Sequence, residues 1–213
     1  MAFISGLDIV ALTDHNTCKN CPAFFEAAKR YGIIPIAGME LTTSEDIHVV
    51  CLFEHLSDAM RFGEAINEKR ILIKNRKDIF GEQLILDGED NIIGEEEYLL
   101  PNATLLSVED VPGLVRSFGG ISYPAHIDRE ANGIIAVLGT LPESLNFKCV
   151  ELHDKERIAE YEKRYNLKNK TVLIGSDAHY LENISGGENY FKLEADKSDQ
   201  DSVRKELFKL LGR

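Results

Sequence analysis

Apolar runs of strand length recur along the chain, at Gly6–Thr13, Gly32–Met39, Ile47–Phe53, Gly120–Ala125, Cys149–Leu152 and Thr171–Gly175. Between them lie stretches in which apolar residues return every three or four positions: Pro22–Tyr31, Ser57–Lys69, Ser107–Phe118 and Asp154–Tyr165. Strand and helix in alternation predict a parallel sheet wrapped by helices. Ser57 and Ser107 are placed to cap helix N-termini, and Gly32 and Gly119 stand where a helix-ending glycine is expected. A last amphipathic helix over Ser198–Leu211 carries Val203, Leu207 and Leu210 on one face.

Two stretches break this rhythm. Gln83–Leu100 alternates apolar and polar residues around Asp87-Gly88-Glu89-Asp90-Asn91, the pattern of a β-hairpin. It reads as an insertion over about residues 80–101 within a single domain spanning 1–213, and its charges, Asp87–Asp90 and Glu95–Glu97, as surface groups. At the start, Ala2–Ser5 followed by Gly6 reads as the final turn of a helix with its cap, as though the chain begins partway through a strand–helix unit.

Composition narrows the class. The sequence has 213 residues, 44% of them hydrophobic and 28% charged, enough for a substantial core and unlike a disordered chain. Its 24 Lys and Arg against 36 Asp and Glu leave a net charge of −12. An acidic surface repels anionic lipid and the nucleic-acid backbone, so a broad nucleic-acid surface is not expected. No apolar run approaches the roughly 20 residues of a membrane span, and no basic flank leads a secretory core. The expected location is the cytoplasm. Cys18, Cys21, Cys51 and Cys149 are too few and too uneven for a disulfide scaffold and are expected as thiols. The Cys18-x-x-Cys21 pair has no second pair to complete a zinc site, and Pro22 beside it suits a helix start.

The chemistry-bearing residues gather at strand ends. Strand one ends Thr13-Asp14-His15, strand two Gly38-Met39-Glu40, the fourth Pro124-Ala125-His126 and the sixth Ser176-Asp177-Ala178-His179; the third carries His48 near its start. In a barrel of parallel strands the C-terminal ends converge on one face, where active sites lie. One histidine at a strand end is commonly a packing residue, but five segments delivering imidazole and carboxylate to one face point to a site for Zn, Mn or Fe. Asp177 and His179 share a face because side chains of an extended segment alternate. Glu40 is the carboxylate placed to bridge two ions. Arg129, just past His126, is placed either to hold a phosphate at the mouth of the site or to stand as a solvated loop charge. His153 also ends a strand, as a surface or supporting residue, and His55 reads as bland.

Leu12-Thr13-Asp14-His15-Asn16, Gly38-Met39-Glu40, Ile47-His48, Pro124-Ala125-His126 and Ser176-Asp177-Ala178-His179 together resemble, in order and spacing, the motifs of the PHP (polymerase and histidinol phosphatase) family from Gly6 to about Lys192. The resemblance implies a distorted (β/α)7 TIM-like barrel with two or three divalent metal ions and the hydrolysis of phosphoesters. It makes His15, Glu40, His48, His126, Asp177 and His179 the metal ligands, with Asp14 a ligand or a partner of one. The family opens with a His-x-His pair on its first strand, and no such pair occurs in these 213 residues. The expectation is therefore an N-terminally incomplete barrel, short of one unit of roughly 30 residues, binding fewer metal ions and exposing an edge strand through which copies self-associate. The functional expectation is a metal-dependent phosphoesterase acting on a small phosphomonoester or short nucleotide through an activated water. A non-catalytic module keeping part of the metal site, and another metal-dependent hydrolase acting on an amide or lactone, remain as alternatives.

Overall fold

The computed structural model describes residues 1–212. Met1–Gly6 forms a helical turn: Leu7 N–H donates to Ala2 O, Gly6 N–H donates to Phe3 O, and Gly6 has φ +73°. This double closure is the glycine-ended helix terminus expected there. The elements that follow are β1 (Ile9–Leu12), α1 (Cys21–Tyr31), β2 (Ile34–Thr42), β3 (His48–Phe53), α2 (Leu56–Asn67), the short α3 (Lys77–Phe80), β4 (Leu84–Leu86), β5 (Ile92–Glu95), α4 (Val111–Ser117), β6 (Gly120–Pro124), α5 (Ile134–Leu138), β7 (Cys149–Leu152), α6 (Ile158–Tyr165), β8 (Thr171–Ile174) and α7 (Gln200–Leu210).

The sheets depart from the all-parallel arrangement. The main sheet has the order β1-β2-β3-β6; β1 and β2 are parallel, whereas β3 runs antiparallel to both β2 and β6. The cause is the connection. Only Thr43–Ile47 separates β2 from β3, and a return to a parallel strand needs a crossover of a dozen residues or more. The turn is tied by Thr43 N–H to Ile47 O at 2.9 Å, by Ile47 N–H to the Thr43 hydroxyl at 3.2 Å, and by a left-handed Asp46 at φ +67°. β7 and β8 form a separate parallel pair, and β4 and β5 the antiparallel hairpin. Among the described residues no closed sheet forms, so the structure shows an α/β fold in three sheets, and the seven-stranded barrel is not present as a continuous hydrogen-bonded ring.

Alternation along the strands makes two cores. Met39, Leu41, Val49, Cys51 and Phe53 pack with Phe62 of α2 and Val111 and Val115 of α4. On the opposite face Ile36, Val50, Leu52, Ile121 and Tyr123 pack with Cys149, Leu173 and the Leu207 and Phe208 side chains of α7. All nine residues of β2 are buried, the signature of a central strand covered on both faces. Gly38 is required there: a Cβ would stand 2.8 Å from Cys51 O and 2.9 Å from the Thr13 methyl.

Helix boundaries differ in detail. α2 begins at Leu56, so Ser57 lies inside the helix and does not cap it. Ser107 closes a turn upstream of α4, its hydroxyl donating to the Asp110 carboxylate at 2.7 Å, and the helix starts at Val111 with Pro112 in its first turn. The Asp154–Tyr165 helix splits into a 3-10 turn, capped by Asp154 accepting from Glu156 N, and α6. Gly32 takes the expected left-handed cap, with φ +67°.

Candidate metal centre

Glu40 lies two residues before the end of β2, on the same face as Ile36, and is nearly fully buried. Reversal of β3 brings His48 beside it: Thr42 pairs with His48, so Glu40 and His48 are diagonal neighbours on one face. The main-chain link of β1 to β2 continues past the strand, with Glu40 N–H donating to Asp14 O and Asn16 N–H donating to Glu40 O, which sets His15 directly across from Glu40. His126 follows β6 and completes the ring of imidazoles. Glu40 Oε2 is 3.5 Å from His15 Nδ1, and its Oε1 is 3.1 Å from His48 Nδ1 and 3.4 Å from His126 Nε2. His126 Nε2 and His48 Nδ1 are 3.3 Å apart.

Asp177 and His179 close the other side. The His179 ring lies 5.7 Å from the His15 ring, and His179 Nδ1 is 3.7 Å from Asp177 Oδ1. Asp177 is paired with the Arg129 guanidinium, whose Nη2 also sits 3.2 Å from both ring nitrogens of His153. Arg129 and His153 therefore stand together at the mouth. His126, at φ +26°, and Asp177, at φ +46°, both hold left-handed backbone conformations. Such conformations disfavour side-chain-bearing residues and persist where surrounding structure enforces them, commonly at functional sites.

The electrostatics fit a cation. Burial works against the Glu40 carboxylate, but contacts from His126 and His48 and the charges of His48 and His15 outweigh it and hold its pKa well below the usual carboxylate range. Burial pushes His15 down, toward the neutral form that offers a lone pair, with Glu40 opposing. Burial also pushes Asp14 up, and the Asn20 amide, donating to its Oδ2 at 3.0 Å, opposes the shift. His126 is buried too, yet its contact with Glu40 raises it. His15 Nδ1 and His126 Nδ1 are buried without a hydrogen-bond partner. An unsatisfied buried nitrogen facing a carboxylate, as His15 Nδ1 faces Glu40, suits a metal ligand, and ligand atoms of His15, Glu40 and His48 all lie within 4.8 Å of one another.

Every residue singled out at the strand ends arrives in this region. Asp14 sits behind the cluster with its carboxylate on Asn20, and His153 supports Arg129. His55 stays on the surface. The four cysteines are free and buried, and Cys18 and Cys21 both point their thiols at Gly38 O. Sequence reasoning passed over Glu151. This β7 carboxylate accepts from His126 N–H at 3.3 Å and lies against Gly175, where an added Cβ would come within 2.5 Å of it. Burial pushes it up to about 7. A lone acid inside the otherwise apolar strand Cys149–Leu152 was the available signal.

A family model described as the PHP domain matches residues 2–183. The chain belongs to the PHP domain family. Within it, 60 residues are 42% identical to the PolC-type DNA polymerase III of Thermotoga maritima, covering 28% of this chain and 4% of that protein. Among solved structures, a lesion-specific endonuclease from Pyrococcus furiosus aligns with 96% of this chain and 48% of its own, at a TM-score of 0.63 and 17% identity. A candidate metal-dependent phosphoesterase from Bifidobacterium adolescentis aligns over 100% of this chain and 90% of its own, at 0.52 and 20%. An amidohydrolase from Chromobacterium violaceum aligns over 95% and 88%, at 0.53 and 16%. The PHP chain thus spans under half of the endonuclease and a small fraction of the polymerase, and the likeness to the three structures is one of fold. No helix among the described residues is long and apolar enough to cross a membrane.

Proposed function

We propose that this PHP domain is a metal-dependent phosphoesterase that hydrolyses a small phosphomonoester or short nucleotide. The observation that carries the reading is the single buried carboxylate of Glu40 shared by His15, His48 and His126, with Asp177 and His179 alongside. These six residues would hold two or three divalent ions of the Zn, Mn or Fe type. Bound there, such ions lower the pKa of a water and polarise phosphoryl oxygens. Solved relatives named as a metal-dependent phosphoesterase, an endonuclease and an amidohydrolase support hydrolysis as the chemistry.

The chain's own residues supply orientation. Arg129, held at the mouth between Asp177 and His153, presents a forked donor that suits a phosphate group. Asp14, beside His15 in sequence and held by the Asn20 amide, would serve as a ligand or as the partner of one. The net charge of −12 favours a small substrate over a long duplex. We read the main sheet and the β7–β8 pair as parts of one distorted (β/α)7 barrel, because Ile36 and Ile121 of the one share an interior cluster with Cys149 and Leu173 of the other. Four buried thiols suit a reducing cytoplasm, and β1, at the open edge of the main sheet, is the strand through which copies would associate.

The test is steady-state hydrolysis of aryl phosphate and small phosphomonoesters against carboxyl esters and amides, with Mn or Zn supplied. Turnover confined to phosphate esters and abolished by chelation is expected. Turnover of the amides or esters instead would replace the phosphoesterase with a different hydrolase, and inactivity on all of them would favour a non-catalytic metal-binding module.

A further inference from the structure

The β4–β5 hairpin carries none of the proposed ligands, which on sequence grounds makes it dispensable for the metal centre. Its contacts argue otherwise. The loop that follows His15 is bound to the hairpin at three points. Asn16, fully buried and at φ +51°, donates from Nδ2 to Leu100 O at 2.8 Å and Asn102 O at 2.9 Å, while its Oδ1 accepts from Thr42 N–H at 3.0 Å. One amide thus joins the exit of the hairpin to the end of the strand that carries Glu40. Asn20 repeats the arrangement four residues on. Its Nδ2 donates to Asp14 Oδ2 at 3.0 Å and to Leu84 O at 3.2 Å, and its Oδ1 accepts from Leu86 N–H at 3.0 Å. Between them, Lys19 pairs with Glu96, which is buried and also accepts from Arg70 at 3.1 Å. At the far end the Gly88 turn packs so closely on Glu26 of α1 that a Cβ there would collide with it.

We propose that the hairpin is a clamp that holds His15 in register with Glu40, with Asn16 and Asn20 as its positioning residues. The inference rests on the metal reading of the site and adds a condition to it: a competent ligand set requires a docked hairpin. The side-chain chemistry is specific. Each asparagine uses both a donor and an acceptor, which neither aspartate nor alanine supplies together, and buried amides left unpaired favour undocking. Linkage makes the effect mutual, so an ion bound at His15 holds the hairpin down as firmly as the hairpin holds His15.

The experiment compares the 213-residue wild type, Asn20→Ala and a control, Val203→Ala, which removes buried volume from α7, a helix that carries none of the proposed ligands. Cobalt(II) titration followed by visible absorption reads the ligand set, and hydrogen exchange reads residues 14–16 and 84–87. Asn20→Ala is expected to weaken cobalt binding by about ten- to a hundredfold, to alter the absorption band, and to speed exchange in both segments together. Val203→Ala is expected to lower the melting temperature while leaving the band and both segments unchanged. Wild-type affinity and spectrum in Asn20→Ala overturn the clamp. If wild type itself takes up no cobalt, the metal reading fails, and exchange alone decides: faster exchange at 14–16 in Asn20→Ala supports the clamp, and unchanged exchange overturns it.

Discussion

His48 opens its strand and His126 follows the end of another, yet their ring nitrogens stand 3.3 Å apart. The antiparallel pairing of β3 with β6 makes this possible, since it sets the start of one strand beside the finish of the other. The same pairing fixes the main chain: Ala125 N–H donates to His48 O, and His48 N–H donates to Asn132 O. His48 therefore belongs to the cluster because of strand direction.

Replacing Glu40 tests the centre of the arrangement. Glu40→Gln keeps the volume and removes the charge that His15, His48 and His126 share. Manganese or cobalt affinity, read by calorimetry, is expected to fall by about a hundredfold or more, beyond the effect of a supporting residue. Unchanged affinity would remove Glu40 from the ligand set.

Arg129→Ala separates substrate binding from chemistry. Loss of a charge-assisted contact to phosphate, about 1.5 to 3 kcal/mol, raises KM roughly 10- to 100-fold. The value of kcat is expected to move little. A fall confined to kcat would mean that Arg129 acts on the transition state or on Asp177, its partner in the structure.

Glu151 gives the metal-free protein a pH-dependent stability. Its carboxyl is raised by burial from 4.5 to about 7, with the His126 N–H contact opposing. As pH climbs through this interval the unfolded chain has released a proton that the folded chain keeps. Stability present below the unfolded value is therefore lost toward pH 7, by at most about 3 kcal/mol. Urea midpoints in chelator at pH 5 and pH 8 should show a decline for wild type that Glu151→Gln largely removes. Equal slopes would contradict the assignment.

Gly38→Ala probes the crowding beneath the centre. A Cβ there meets the Cys51 carbonyl and the Leu52 side chain at 2.8 Å. A loss of about 1 to 3 kcal/mol in urea unfolding is expected, as for an overpacked interior. A neutral result would mean that β2 and β3 separate more readily than their register suggests.

Much of this was legible before the fold was known. Asp14, His15, Glu40, His126, Asp177 and His179 were readable because each follows or ends an apolar run and carries metal-binding chemistry. The direction of β3 was not readable from periodicity, which is the same for strands running either way; the five residues of Thr43–Ile47 were the cue. Asn16, Asn20 and Glu151 escaped notice because their partners are main-chain groups far along the chain, such as Leu100 O and His126 N–H. Side-chain identity alone does not reveal such contacts.

The turn that reverses the chain at Thr43–Ile47 has a further consequence, for how its length can vary over time. Side chains alternate along β3, so one residue inserted or deleted in the turn would shift the pairing of Thr42 with His48 and carry the imidazole to the opposite face. Surface connections ordinarily accept such changes. This one cannot without discarding a ligand, so its length is expected to stay fixed among relatives that retain the centre.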